Sequence, residues 1–225
     1  MAIVSDARTP WALVFTGGDA PRHDVLPALP EAKVVIAADA GWTHARALGF
    51  TPHFLVGDFD SIEPSEIDEA ERLGAEIVQH PVDKDVTDTE IAVSVARTLR
   101  YSHIHVVSGG GDRFDHLVGL LHSLVAHAGD VTITAHVGRV HVRFATPGRA
   151  LTVDCTPGTT VSLVPLGGGA RGVHTAGLKW DLKRGRLEPF ASRGISNVAL
   201  SDSFSVSLRT GVIAVMTTEE EGTRS

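Results

Sequence analysis

The sequence predicts an α/β domain followed by an antiparallel β domain, because its pattern changes about two thirds of the way along the 225 residues. In the first part, short apolar runs alternate with segments of helical periodicity, which is typical of a largely parallel sheet with helices on its faces. After about Gly148, short strand-like runs are separated by Gly, Pro and Ser/Asp clusters. We therefore expect an α/β domain over residues 1–147 and an antiparallel β-sandwich over residues 148–225.

The elements of the first domain follow from the spacing of its apolar residues. Strands are predicted at Trp11–Thr16, Lys33–Ala38, Phe54–Gly57, Glu76–Gln79, Ile104–Ser108 and Val131–His136, and helices at Glu66–Leu73, Asp88–Leu99 and Asp115–Ala126. Leucines at positions 117, 120, 121 and 124 make one apolar stripe in the last helix. The run Val140–Ala145 is expected to add a hairpin strand. This alternation predicts a Rossmann-like domain.

The second domain is expected to contain strands but no helix of useful length. The predicted strands are Leu151–Val153, Val161–Val164, Val198–Leu200, Phe204–Leu208 and Val212–Met216. A module of this size lies near the lower limit for independent stability, so it would gain from packing on a neighbour. The acidic end Glu219–Glu221 is expected to be a frayed tail.

Composition narrows the class of protein. A net charge of −7 argues against a nucleic-acid binder, which normally presents a basic face. Cys155 is the only cysteine, which excludes an internal disulfide and a cysteine-rich zinc site. The start of the chain lacks a signal-peptide pattern, and no apolar run approaches the ~20 residues of a membrane helix. We therefore expect a cytoplasmic protein with no membrane partner.

Acidic residues follow several predicted strands, where ligands bind in open α/β sheets. Asp39 follows the second strand, and Asp58 and Asp60 follow the third at i and i+2, so an extended backbone directs both side chains the same way. Adjacent carboxylates repel each other unless a cation lies between them, and oxygen ligands suit Mg²⁺. A polar turn is the alternative for the pair alone. The further acidic clusters favour the metal site.

The segment 84–88 precedes a predicted helix. Thr87 and Glu90 match a capping box, which gives them a structural role at the helix start. Asp88 lies in the first turn, where the helix dipole also favours a carboxylate, so a structural role is open to it as well. Asp85 and Lys84 lie outside the helix and are free to face the crevice.

The stretch from Gly109 to His116 follows the fifth strand. Its glycines allow a ligand to approach the backbone, and Arg113 offers a planar pair of donors for phosphate oxygens. No P-loop or Gly-x-Gly-x-x-Gly motif is present. The twelve histidines do not predict a zinc site: His103 and His105 could share a strand face, but no third ligand lies at a helpful spacing.

These segments together resemble the thiamine pyrophosphokinase family. The matching motifs are Ala38-Asp39-Ala40-Gly41, Gly57-Asp58-Phe59-Asp60-Ser61-Ile62, Lys84-Asp85-Val86-Thr87-Asp88, Arg113-Phe114-Asp115-His116, Gly177-Leu178-Lys179-Trp180 and Ser192-Arg193-Gly194-Ile195-Ser196-Asn197. They occur in the family's order and cover nearly the whole chain. Ala40 and Trp42 depart from the family's usual glycine and small residue, and we expect Trp42 to be a core aromatic.

The resemblance implies transfer of the diphosphoryl group of ATP to thiamine with release of AMP. It implies Mg²⁺, or Mn²⁺, as cofactor, and a homodimer whose thiamine site is shared between subunits. Metal-binding and catalytic roles fall to Asp58, Asp60, Asp88 and Asp115; nucleotide binding to Asp39, Asp85, Arg113 and His116; thiamine binding to Trp180, Ser196 and Asn197. Two alternatives stay open at this point: a diphosphokinase acting on another hydroxymethyl heterocycle such as a pterin, and a non-catalytic sensor of thiamine or nucleotide.

Overall fold

The apolar runs of the N-terminal part form six parallel strands in a computed structural model that describes residues 9–83, 85–111 and 113–218. The strands are β1 Trp11–Phe15, β2 Ala32–Ala38, β3 Phe54–Gly57, β4 Glu76–Gln79, β5 His103–Ser108 and β6 Thr132–Val137. Their order is β4-β3-β2-β1-β5-β6, and every neighbouring pair is parallel. Such a sheet is covered on both faces, which explains why all five residues of β1 are apolar and buried.

Helices connect these strands, as the alternation predicts. Within the described residues they are α1 Gly41–Ala47, α2 Pro64–Arg72, α3 Asp88–Thr98 and α4 Phe114–His127, with a 3-10 helix at His23–Ala28. The last three α-helices closely match their predicted bounds. α1 and the 3-10 helix were not predicted. α1 is only two turns long, and it packs Ala45 and Leu48 against Phe15 of the sheet.

Trp42 lies in the core, and the prediction that it is a core aromatic is confirmed. Its side chain is 0% exposed and belongs to a cluster with Leu55 and Ala70. The indole N–H donates to a Glu69 carboxylate oxygen over 3.4 Å. A buried indole keeps a hydrogen-bond partner in this way, and Trp42 therefore anchors α1 to the sheet and to α2.

The C-terminal part consists of antiparallel strands. They are β7 Val140–Ala145, β8 Leu151–Asp154, β9 Thr160–Ala176, β10 Gly185–Leu187, β11 Asn197–Val198, β12 Ser203–Ser207 and β13 Thr210–Thr218. Their order is β7-β13-β9-β12-β8, with β10 and β11 also paired to β9. Alternate residues of β12 and β13, among them Phe204, Val206 and Ile213, point into one apolar core. The prediction of a mixed α/β fold with a parallel N-terminal sheet and antiparallel C-terminal strands is confirmed.

β9 is much longer than the predicted strand Val161–Val164. Its first half pairs with β13, and its last residues pair with β12. Gly167, Gly168 and Gly172 have positive φ angles, so the strand bends between the two pairings. These glycines interrupt the apolar alternation, which is why the sequence indicated only the first four residues.

By internal packing, the described part of the chain divides into two units, with the boundary between Gly138 and Arg139. β7 belongs to the second unit because it pairs with β13. The division into functional domains at 147/148 stays a prediction. Lys84 and the acidic end 219–221 lie outside the described residues. In the described part of the chain, no helix has the length and apolar character needed to cross a membrane.

Candidate functional site

The centre of the candidate site is Asp39, directly after β2. Its backbone has a φ of 44°, a left-handed conformation that aspartate tolerates better than most residues. Its backbone N–H donates to the carbonyl of Val56 at 3.0 Å, and its carboxylate accepts from the N–H of Phe59 at 3.1 Å. A Cβ atom at Gly57 would overlap the Asp39 carboxylate, so a larger residue here would displace that carboxylate. These contacts hold a buried carboxyl group across the end of β3.

Asp58 and Asp60 bring two more carboxylates to the same place. Each of the three residues, Asp39 included, has a carboxylate oxygen within 4.8 Å of those of the others. The backbone N–H of Asp60 donates to Asp58 at 3.2 Å, which fixes the turn between them. Hard oxygen ligands converging from one buried and two more accessible groups fit Mg²⁺, which keeps several waters when bound.

Asp88 approaches this cluster from the first turn of α3. Thr87 caps the helix by accepting from the N–H of Glu90 at 3.2 Å, as predicted. The Glu90 side chain accepts a hydrogen bond from Ser123. Asp88 lies close enough to Asp39 to raise the pKa of the Asp39 carboxyl group. The cap therefore sets where α3 begins, and with it the position of Asp88.

The electrostatics of the cluster centre on Asp39. Burial raises its pKa to about 7, and the charge and hydrogen bond of Asp88 and the charge of Asp58 act in the same direction. The hydrogen bond from Phe59 opposes this shift. A carboxyl group that keeps its proton near neutral pH beside other carboxylates marks a site where a cation would be strongly favoured.

The structure does not bring Asp85 or Asp115 into this cluster. Asp85 is exposed before α3. Asp115 pairs with Arg113 at 2.6 Å at the start of α4, and this hydrogen bond lowers the pKa of Asp115. His116 is exposed beside them. The motifs assigned Asp115 to metal binding and Asp39 to nucleotide binding. The geometry favours Asp39 over Asp115 as a metal ligand.

A second loop, Thr16–Asp19 after β1, was not identified from the sequence. The backbone N–H of Asp19 donates to Gly110 at 3.2 Å, and the Asp19 carboxylate lies against Gly111. The loops after β1 and β5 therefore touch where the strand order reverses, which is the position at which doubly wound sheets bind ligands. The paired glycines at 17 and 18 resemble those at 109–111 and could have indicated this loop.

A buried histidine pair was also missed. The Nε2 atom of His105 lies 2.8 Å from Nδ1 of His136, and its Nδ1 lies 2.7 Å from the hydroxyl of Thr134. The expectation that His103 and His105 share one strand face is confirmed, because both rings lie edge-on to Trp11, with 5.0 Å and 6.4 Å between ring centroids. His136 lies on the neighbouring strand β6, so its pairing with His105 depends on the β5–β6 register. Spacing along one strand cannot identify a partner on the next one.

The predicted thiamine residues lie together in the C-terminal unit. Trp180 is 57% exposed, and the Lys179 ammonium lies 4.8 Å from the centre of its ring. Asn197 is buried at 4% exposure, and its side chain bonds to both backbone groups of Trp180. Ser196 is exposed, has a φ of 58°, and donates its backbone N–H to Ser162. The structure therefore presents an aromatic face beside polar backbone and hydroxyl groups.

Two family models match the chain. The model described as thiamin pyrophosphokinase, catalytic domain, matches residues 27–135, and the model described as thiamin pyrophosphokinase, vitamin B1 binding domain, matches residues 150–213. The first match contains the carboxylate cluster. The second contains Trp180, Ser196 and Asn197.

Individual relatives agree with these matches. Thiamine pyrophosphokinase 1 from Oryza sativa subsp. japonica is 29% identical over 182 residues, which are 73% of this chain and 63% of the rice protein. A thiamine pyrophosphokinase structure from Bacillus subtilis superposes with a TM-score of 0.82 at 20% identity and covers 94% of this chain and 100% of its own. The structure of a thiamin pyrophosphokinase from Candida albicans superposes with a TM-score of 0.79 at 16% identity, and the match covers 94% of this chain and 90% of that one. These structures show that the fold is shared.

Asp39→Asn should change how the stability of the metal-free protein depends on pH. Because the folded-state pKa of Asp39 is raised to about 7, folding retains a proton that the unfolded chain releases near pH 4. Wild-type stability should therefore fall as pH rises between these values, relative to the variant. The difference should reach ~2–4 kcal/mol at pH 8. Urea denaturation in EDTA measures it.

The control for this experiment is Asp68→Asn, which neutralises an exposed carboxylate on α2. Its stability curve should run parallel to the wild-type curve at every pH. If the Asp39→Asn curve is equally parallel, Asp39 does not hold a proton in the folded protein. Saturating Mg²⁺ should remove most of the wild-type loss at high pH, because a bound cation replaces the proton.

Proposed function

The chain belongs to the thiamin pyrophosphokinase family, and we propose that it transfers the diphosphoryl group of ATP to the hydroxyl of thiamine. The thiamine oxygen bonds to the β-phosphorus, the bond from that phosphorus to the α,β-bridging oxygen breaks, AMP leaves, and the hydroxyl proton is released. The observation that carries this proposal is the convergence of Asp39, Asp58, Asp60 and Asp88 in the part of the chain that matches the catalytic-domain model. A cytoplasmic location stays a prediction.

The carboxylates of Asp39, Asp58 and Asp60 are the groups that would hold Mg²⁺ or Mn²⁺. Their oxygens are close enough together to share one ion, and the raised pKa of Asp39, caused first by burial and then by the charges of Asp88 and Asp58, supports a cation at this position. A bound divalent cation supplies positive charge to the phosphate oxygens during transfer. Asp88, whose charge acts on Asp39, would add a further carboxylate beside the ion. Asp115 and Asp85, outside the cluster, would act on the nucleotide side.

ATP is proposed to bind over the loops that follow β1 and β5. These loops touch at the reversal of strand order, and their residues Gly18 and Gly111 are exposed, so phosphate oxygens could approach the backbone there. Arg113 and His116 lie at the beginning of α4, next to the second loop. The guanidinium of Arg113 already holds one carboxylate, that of Asp115, and a phosphate group offers it the same pair of oxygens.

Thiamine is proposed to stack on Trp180, with Ser196 as a polar contact and Asn197 beside them. A flat, half-exposed indole suits an aromatic and cationic heterocycle. The Lys179 ammonium covers one face of the indole, so a cationic thiazolium would use the opposite face. We further propose that the C-terminal strands form a β-sandwich. Support comes from β9, which pairs with β13 in its first half and with β12 at its end.

The product analysis tests the reaction itself. The purified chain should convert Mg·ATP and thiamine to AMP and thiamine diphosphate in equal amounts, measured by liquid chromatography. ADP with thiamine monophosphate would show transfer of a single phosphoryl group and would overturn the mechanism. Turnover of a hydroxymethylpterin in place of thiamine would identify a different substrate class.

Asp58→Asn should lower kcat by more than roughly 100-fold, the scale seen when one electrostatic contributor to phosphoryl transfer is removed. The substitution preserves size and removes only charge. Asp68→Asn, an exposed carboxylate on α2, is the matched control and should keep wild-type kcat. Near-normal turnover of Asp58→Asn at saturating Mg²⁺ would show that this carboxylate does not serve the metal.

We also propose a homodimer in which one subunit's C-terminal unit completes the site of its partner. Asp88→Asn and Trp180→Ala then damage different halves of each site. A mixed dimer contains one site with both lesions and one with neither, and equal mixing makes half of the dimers mixed. Refolding the two variants together should therefore restore about a quarter of wild-type activity at thiamine concentrations below KM.

Each variant and the wild type, refolded alone, provide the baselines for this mixing experiment. Recovery above the sum of the two variants supports the shared site. Full recovery of the refolded wild type with no gain in the mixture would place the whole site within one subunit and leave the reaction assignment standing.

A further inference from the structure

Trp180 lies in a short segment between β9 and β10 that is held by an unusual number of side-chain hydrogen bonds. Asn197 makes three of them: its Oδ1 accepts from the N–H groups of Trp180 at 3.1 Å and Val198 at 2.9 Å, and its Nδ2 donates to the Trp180 carbonyl at 3.0 Å. One buried side chain thus satisfies both backbone groups of an exposed aromatic residue.

The other side of the segment is held equally firmly. Asp181 accepts from the N–H of Leu178 at 3.2 Å and from the hydroxyl of Thr175 at 3.0 Å. The same hydroxyl oxygen accepts from the N–H of Leu182 at 2.8 Å. The backbone on both sides of Trp180 is therefore fixed independently of the indole ring, which itself extends into solvent.

Leaving the Trp180 ring in solvent forgoes the free energy that burial of its apolar surface would provide. An indole in a mobile loop would gain by turning its apolar surface inward, whereas the hydrogen bonds of Asn197 keep the backbone of Trp180 from doing so. A ring held in its binding orientation loses less entropy when a ligand stacks on it. Rigid support behind an exposed contact residue is the arrangement that binding sites require.

We infer that Asn197 is a positioning residue for the thiamine site, acting through Trp180 rather than by contact with thiamine. The inference rests on the proposed function, in which Trp180 stacks on the heterocycle. It also changes the role predicted for Asn197 from its motif, because the Asn197 oxygen already accepts two hydrogen bonds within the protein. An amide oxygen has two lone pairs, so no acceptor remains for a ligand.

A double-mutant cycle on the full chain separates positioning from contact. Thiamine affinity is measured by calorimetry for the wild type, Trp180→Ala, Asn197→Ala and the double variant. Each single substitution should weaken binding about tenfold, the scale of one aromatic contact. The double variant should bind no more than about twofold more weakly than Trp180→Ala, because Asn197 has nothing left to position. The KM for ATP should not change.

Tryptophan fluorescence gives a readout that does not depend on thiamine. Trp11 and Trp42 are buried, so a change in acrylamide quenching or anisotropy reports on Trp180. Asn197→Ala should increase quenching and lower anisotropy, whereas Ser201→Ala should not. Ser201 is the matched control because its hydroxyl also makes a loop hydrogen bond in the same unit, to Ser203. Asn197→Asp retains both acceptor bonds and should lose less thiamine affinity than Trp180→Ala, a comparison that holds even if Asn197→Ala fails to fold.

If the losses of binding free energy in the two single variants add up in the double variant, Asn197 contacts thiamine directly, and the inference is overturned. Unchanged affinity in folded Asn197→Ala would overturn it as well. A failure of the proposed function gives a different result, because the wild type would then form neither thiamine diphosphate nor AMP from thiamine and Mg·ATP. If the reaction proceeds but Trp180→Ala binds thiamine normally, stacking on Trp180 and its positioning by Asn197 are both wrong, while the enzyme assignment stands.

Discussion

Repulsion among carboxylates is the constraint on which the N-terminal site depends. Asp39 is 8% exposed and lies within reach of the charge of Asp88, with Asp58 and Asp60 alongside. Burial of one ionised carboxylate beside others is unfavourable, so the group keeps a proton or binds a cation. The surrounding backbone holds the cluster together despite this cost: Gly57 leaves room for Asp39, Phe59 donates to it, and Thr87 fixes the start of α3.

The parts of this fold that were predictable are those in which local pattern and burial agree. β3 and β4 have the predicted bounds, because a short apolar run ends at a turn on each side. α4 follows from its leucine stripe. Asp39 and the pair Asp58 and Asp60 were found because parallel strands place their carboxyl ends along one edge, so residues far apart in sequence become neighbours.

What the sequence could not predict depends on contacts between elements. α1 is too short to show a clear period, and its position is set by the burial of Trp42 against α2. The pairing of His105 with His136 needs the β5–β6 register. The role of Asn197 was obscured for a related reason: a motif predicts that a residue matters, but only the structure shows that its hydrogen bonds go to the backbone of Trp180. The same motif is compatible with an Asn197 side chain that contacts a ligand and with one that holds the backbone of a neighbouring contact residue.

The distribution of charge links the two parts of the chain to the chemistry proposed for them. Residues 1–138 contain 20 of the 27 acidic and 9 of the 20 basic side chains, so their net charge is −11. Residues 139–225 contain the other 7 acidic and 11 basic side chains, so their net charge is +4. A nucleoside triphosphate approaching residues 1–138 would be repelled by their negative electrostatic field. In the proposed reaction, free ATP would therefore be the disfavoured form of the substrate, and the metal complex, with its smaller negative charge, would be the favoured one. The ion that relieves the repulsion around Asp39 is then the same ion that allows the phosphates to approach, so metal binding and nucleotide binding at this cluster should be strongly coupled.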